Sequence, residues 1–232
     1  MNEKNKSTGG LNWIIDLGLC DFERSLTIQK KLHQERVEAK IPDSLILVEH
    51  QPVITFGKSG NPTNLLVSND FLQRKGIKTY SIERGGDVTF HGPGQLVGYP
   101  IFYVKEALAG IRAMIKNLEL SLILPLNDFS IRAVTKHKLV GVWVDEEKIA
   151  SIGIAIKKWV TFHGFALNVN TDLTYFDLIR PCGLDKVKMT SMAKILSKEL
   201  NLIQVKERLK FNLEKVFDTK FEKPENLEKF TP

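Results

Sequence analysis

Cysteine is scarce in this chain of 232 residues, which holds only Cys20 and Cys182. Two thiols cannot build a disulfide framework or a four-ligand zinc site. No His-Glu-x-x-His or paired Cys-x-x-Cys spacing occurs either, so no metal is expected. Long apolar runs are missing too: residues 45–48 and 139–144 fall far short of the roughly 20 residues a membrane span requires. The opening residues, MNEKNKSTGG, have neither the apolar heart of a secretory signal nor an arginine for the basic face of a transit peptide. Residues 1–10 are therefore expected to be a disordered tail, and the protein to be cytoplasmic with no membrane partner. No Pro/Ser/Gly-rich linker or internal repeat breaks the stretch from about residue 11 to 200, which argues for a single domain over residues 11–232.

The 43% hydrophobic and 26% charged residues suit a globular chain with a core large enough to fold unaided. The net charge of +6 favours acidic partners. Lysines near residues 205–215 alternate with acids and apolar residues as on an ordinary amphipathic helix, and no aromatic-studded basic stripe occurs, so nucleic acid is not an expected partner.

Hydrophobic spacing predicts strands at 13–17, 45–48, 53–56, 79–83 and 96–104, the second and third as adjacent partners across Pro52. Asp21 is placed to cap a helix running to about residue 39, and a short helix is predicted over 68–75. Leu108, Ile111, Ile115, Leu118 and Leu122 recur at helical steps over 106–124. Strands at 139–144, 149–156 and 160–169 read as a meander, followed by a loop over 170–187 and helices near 190–200 and 205–217. Runs of strands with helices interspersed predict an α/β (α+β) domain with a mixed or antiparallel sheet and packed helices.

Residues 84–95, RGGDVTFHGPGQ, place four glycines and a proline between strand-like stretches, so the backbone there turns sharply or admits something closely. This is not a Walker loop, because no Gly-Lys-Ser/Thr ends it, and it lacks the Gly-x-Gly-x-x-Gly spacing of a dinucleotide site. The bland alternative makes Arg84 and His91 surface residues of a long turn. Clustered glycine with Arg, Thr and His instead offers amides, a cation and polar side chains in one place.

Cys182 sits in Arg-Pro-Cys-Gly on predicted loop, whereas Cys20 lies in a more apolar stretch and reads as a small buried hydrophobe. A nucleophilic thiol must ionise, and its ordinary pKa near ~8.5 leaves only a few per cent thiolate at neutral pH. One ammonium at about 4 Å and an effective dielectric near 20 would favour the thiolate by up to ~4 kcal/mol, roughly three pKa units. Lys148, His91 and His163 are the candidate partners, and spacing does not choose among them. Lys148 also has a plain reading as part of a charged hairpin turn, Asp-Glu-Glu-Lys, and an alternative pairing with Ser151.

Taken together, RGGDVTFHGPGQ, Lys-Ile-Ala-Ser-Ile-Gly at 148–153, His-Gly-Phe at 163–165 and Pro-Cys-Gly at 181–183 resemble the lipoyl(octanoyl) transferases, also called the lipoate-protein ligase B family. Four motifs in order cover roughly residues 11–200, the implied transferase core. The resemblance implies a biotin/lipoate ligase-like fold and transfer of octanoyl from octanoyl-acyl carrier protein to a lysine of a lipoyl domain, with no cofactor. The implied acceptors are the lipoyl domains of 2-oxoacid dehydrogenase complexes and the glycine cleavage H protein, and the implied state is a monomer. Cys182 would be the nucleophile and Lys148 the residue that lowers its pKa and moves protons. Arg84, Gly85, Gly86, Asp87, Val88, Thr89, Phe90, His91, Ser151, Ile152, Gly153, His163, Gly164 and Phe165 would line the acyl pocket. Two positions depart from the family pattern: Phe90 stands where tyrosine is frequent, and Asp87 where glutamine is common.

Three rivals remain at this level. An ATP-dependent lipoate or biotin ligase of the same fold would also use a lysine such as Lys148, but would need no Cys182. A non-catalytic module binding acyl carrier protein or fatty acid would be indifferent to loss of that cysteine. A transferase moving acyl groups between lipoyl domains would differ in its donor.

Overall fold

The computed structural model describes residues 11–104, 108–181 and 187–225. The tail at 1–10 and Cys182 lie outside the described residues. Among those described, nine strands form one large mixed sheet and three form a small one.

The chain opens with β1 (Asn12–Cys20), helix α1 (Phe22–Val37) and β2 (Ser44–His50), and β1 and β2 lie parallel as a helical crossover allows. Asp21 caps α1 as its type predicts: Oδ1 accepts from the amides of Glu23 at 2.9 Å and Arg24 at 3.4 Å. Next come β3 (Val53–Phe56), α2 (Asn69–Arg74), β4 (Lys78–Ser81), β5 (Val88–His91) and β6 (Gln95–Ile101). Helix α3 (Leu108–Asp128) leads to β7 (Val134–Lys136), β8 (Leu139–Val144), β9 (Glu147–Lys157) and β10 (Val160–Asn168). The chain closes with β11 (Lys188–Met189), α4 (Met192–Leu196), α5 (Leu202–Phe217) and β12 (Phe221–Glu222).

The large sheet runs β12-β1-β2-β6-β10-β9-β8-β7, with β11 joining β9, and the expected β8-β9-β10 meander is antiparallel throughout. The small sheet is β4-β3-β5. Here the expected pairing of β2 with β3 does not form. Both neighbours of β2 are already taken, by β1 and β6, so the turn at Gln51-Pro52 carries the chain out of one sheet into the other. The glycine-rich segment is likewise more ordered than a loop, since its middle forms β5 against β3.

Strict alternation builds the layers. Leu45, Leu47, Leu96 and Leu167 join Leu118, Leu122 and Leu126 of α3 and Leu209 and Leu213 of α5 in one core. Ile46, Val48, Val97 and Ala166, from the same strands, pack with Ile28 and Leu32 of α1 on the other side. Helix α3 continues through Pro125, one residue past the expected end. Pro125 forfeits one helical hydrogen bond, a cost set against the burial of Leu122 and Leu126 on the same helix.

Candidate active site

A narrow cavity of about 60 Å³ lies where the small sheet and the first residue of α1 meet β6, β9 and β10. Thirteen of the fourteen residues expected to line an acyl pocket line it, together with Lys148. The exception is Phe90. Residues alternate along β5, so Thr89 and His91 face the cavity while the ring of Phe90 stacks on Tyr175 at 4.5 Å, inside a separate small core. A phenol at this position would therefore sit away from the cavity. Asp87 has a local task, accepting from the Asn61 amide at 3.0 Å and from Asn64 Nδ2, which ties the turn together.

Arg84 and His91 are buried, not surface residues of a turn. Arg84 Nη2 donates to Thr55 O at 2.7 Å and Oγ1 at 3.0 Å, and Nη1 donates to Gly85 O at 3.1 Å, so the guanidinium clamps the glycine turn to β3. The turn then meets β9 backbone to backbone: Gly85 N–H donates to Ile154 O at 2.9 Å, and a Cβ on Gly153 would stand 2.8 Å from Gly85 O. Glycine at 153 is a condition for this closure.

Two buried histidines, His91 and His163, line the cavity, and a third, His50, packs against His91. His50 Nδ1–H donates to Cys20 O at 2.9 Å, while Nε2 accepts from Tyr99 O–H at 2.8 Å. Gln95 Nε2 donates to Phe90 O and Asn168 Oδ1, so its Oε1 accepts from His91 Nδ1–H at 2.7 Å. Burial pushes His50 down to about 4 and His91 to about 3, the nearby His50 adding to the depression of His91. Burial also lowers His163 to about 4, against a partial pull upward from Glu83. All three are neutral at neutral pH and poor proton acceptors there. Neither His91 nor His163 can supply the cation that a thiolate requires.

Lys148 is the second residue of β9 and is only 4% exposed, which removes its reading as a solvated hairpin lysine. Its ammonium lies 5.4 Å from the centre of the Trp143 ring, on the strand opposite. Gly141, at φ +128°, makes room for it: a Cβ there would stand 2.5 Å from Lys148 Cε. Ser151 also lines the cavity, where it pairs across the sheet with Ala166.

Cys182 lies outside the described residues, but both flanks of its segment are placed. Arg180 N–H donates to Asn64 O at 2.8 Å; beyond the segment, Met189 pairs with Lys148, whose carbonyl accepts from Thr190 N–H at 2.9 Å. Pro181, Val187 and Met189 border one open depression of about 660 Å³ with Glu147, next to Lys148.

With this geometry stands a set of close relatives. The model of the lipoyl protein ligase A/B catalytic domain matches residues 21–214. An octanoyltransferase of Syntrophobacter fumaroxidans is 44% identical over 206 residues, 89% of this chain and 90% of its own length. One from Solibacter usitatus is 47% identical over 202 residues, 87% of this chain and 91% of its own. The chain belongs to the octanoyltransferases. It is thus an acyltransferase of protein lipoylation, within the lipoyl protein ligase A/B catalytic family. Among solved structures, the putative lipoate protein ligase Ta0514 from T. acidophilum, with bound lipoic acid, superposes with a TM-score of 0.73 over 95% of this chain and 93% of that one. At 15% identity this likeness speaks for the fold alone.

Several residues of this octanoyltransferase site escape sequence reasoning. Phe22, Ile82, Val97, Tyr99 and Ala166 line the cavity but read as ordinary core, and Thr55 acts through Arg84; Gln95 closes the glycine-rich motif, but its bond to His91 is not readable from that position. Gly141 carried a signal, as an isolated glycine inside an apolar strand.

Proposed function

We propose that this octanoyltransferase works through a thioester on Cys182, with Lys148 as its proton shuttle. The observation that carries the reading is the burial of Lys148 beside Trp143, at a cavity lined by thirteen of the fourteen residues expected of an acyl pocket, with Met189, just beyond the Cys182 segment, paired to Lys148. In the first half-reaction the Cys182 thiolate attacks the carbonyl carbon of octanoyl-acyl carrier protein. A new C–S bond forms, the bond to the carrier sulfur breaks, and the departing thiolate takes a proton from the Lys148 ammonium. In the second, the neutral amine of a lipoyl-domain lysine attacks the enzyme thioester. It loses its proton to the Lys148 amine and expels the Cys182 thiolate, which restores the starting pair.

Exchange of thioester for thioester is nearly balanced and the final amide is more stable, so the sequence needs no nucleotide. The acceptors in this reading are the lipoyl domains of 2-oxoacid dehydrogenase complexes and the glycine cleavage H protein. The protein acts as a monomer, and in the cytoplasm, where a reducing milieu keeps a nucleophilic thiol free. The net charge of +6 suits steering of acidic carrier domains.

Intact-protein mass spectrometry after mixing with octanoyl-acyl carrier protein, without ATP, tests the mechanism. A hydroxylamine-labile octanoyl adduct is expected on the wild type and on Ser151→Ala, slowed in Lys148→Ala and absent from Cys182→Ala. An adduct that survives Cys182→Ala, or none on wild type, would refute it and favour an ATP-dependent ligase or a binding module.

A further inference from the structure

Strands β6 and β10 meet along one wall of the cavity, and the ladder between them has a gap. Rungs at Phe165–Gly98 and Val160–Tyr103 bracket it in a single register, which sets His163 opposite Pro100. Proline has no N–H, so this rung cannot close in the ordinary way. The Pro100 carbonyl accepts instead from Thr161 Oγ1 at 2.6 Å. His163 N–H turns out of the sheet and donates to Gln29 Oε1 of α1 at 3.0 Å. The backbone records the detour: His163 has φ +55°, and Gly164 after it lies so close to β6 that a Cβ would stand 2.1 Å from Gly98 O and 2.6 Å from Pro100 Cδ.

Gln29 is wholly buried, on the inner face of α1 beside Ser25, Ile28 and Leu32. A side-chain amide is rarely found there unless its bonds are in use. We infer that Gln29 is a positioning residue of the acyl cavity: by supplying the acceptor that the rung at Pro100 lacks, it holds His163, Gly164 and Phe165 in the course that shapes one wall. The inference rests on the reading of the cavity as the acyl site. Without an oxygen at this place the His163 N–H is buried unpaired, and the left-handed turn loses the bond that offsets its strain. The backbone then relaxes toward ordinary extended strand, and the three residues that line the cavity shift together. Lys148, near the start of β9, keeps its own surroundings of Trp143 and Gly141. The effect falls on binding of the acyl chain and spares proton transfer.

The test is steady-state kinetics with octanoyl-acyl carrier protein as donor and a lipoyl-domain acceptor, on Gln29→Leu, which removes the acceptor at similar size, and Gln29→Glu, which keeps an oxygen in its place. Gln29→Leu should raise KM for the donor at least fivefold with kcat within twofold of the wild type, and Gln29→Glu should bring KM back to within twofold. Ser151→Leu, which fills the cavity from β9, is the control for the site itself and should raise KM whatever Gln29 does. A raised KM in Ser151→Leu beside an unchanged KM in Gln29→Leu overturns the role of Gln29 alone; an unchanged KM in both overturns the acyl-site reading as well. A fall in kcat at constant KM, or no recovery in Gln29→Glu, marks Gln29 as merely structural and also overturns the inference. Amide hydrogen exchange of the wild type decides the matter if Gln29→Leu does not fold: loading with octanoyl should slow exchange at His163 N–H at least fivefold, and equal rates in the free and loaded enzyme overturn it.

Discussion

The Lys148 side chain fills the space that a Cβ on Gly141 would need, with Cε 2.5 Å and Nζ 3.1 Å from that position. Gly141→Ala must therefore push the ammonium from its place beside Trp143, besides straining a backbone at φ +128°. The expected result is a loss of at least tenfold in kcat, measured well below the unfolding temperature, with destabilisation of about 1–3 kcal/mol. A variant of full activity would show that the position of Lys148 is not critical.

Trp143 separates two roles. Its Nε1–H is buried without an acceptor among the described residues, so Trp143→Phe discards an unpaired donor while keeping a ring beneath the lysine. Its stability should hold or rise slightly in thermal unfolding, and most of the turnover should survive. Trp143→Leu loses the aromatic face altogether and should cost about 1–3 kcal/mol in packing and cation–π contact, with a clear fall in rate. Equal rates for the two variants would show that Lys148 does not depend on the ring.

Arg84→Lys tests the clamp on the glycine turn. A lysine cannot reproduce the planar fork that meets both Thr55 O and Oγ1, and it would leave the buried carbonyl short of a donor. Destabilisation of about 2–4 kcal/mol is expected. KM for the octanoyl donor should rise more than kcat falls, because the turn shapes the cavity and carries none of the chemistry. Steady-state kinetics beside urea melts would decide it.

Stability should also fall on mild acidification. His50, His91 and His163 have folded pKa values of about 4, 3 and 4, below the ordinary 6.5 of an unfolded chain. Between those limits the unfolded state binds more protons, so the stabilisation they give is full above pH 6.5 and is lost progressively as pH drops toward 4. A tenfold difference in proton affinity between the folded and unfolded chain is worth about 1.4 kcal/mol, which makes the combined effect of the three rings several kcal/mol. Thermal midpoints at pH 7, 6 and 5 should decline steadily. A flat profile over that range, where carboxylates have yet to titrate, would mean that these rings are more hydrated than their burial implies.

The sequence announces most of this architecture. Asp21 before a helical pattern, the 139–169 meander and the spacing along α3 all express local periodicity, and each appears at its expected place. Strands of two or three residues, β7, β11 and β12, are too short for a period to show. The β2–β3 expectation failed because pairing partners are a tertiary matter, decided by β1 and β6. The site divides in the same way. Motif residues converge on one cavity, but of the partners that make them rigid, Thr55 and Gly141 come from other strands and carry no motif of their own, while Gln95 closes the glycine-rich motif without its spacing announcing the bond to His91.

Cys20 ends β1 only 4% exposed, its thiol within bonding distance of Asp21 O and pushed up by burial, so it is shielded both from solvent and from ionisation. Its own carbonyl holds His50, deep beneath α1. An alkylating reagent can reach this sulfur only when that region opens. The rate at which Cys20 is alkylated thus serves as a native stopwatch for unfolding of the β1–α1 pair, needing no engineered probe. Comparing that rate with and without a bound acyl group would report how far filling the cavity locks the adjoining layer.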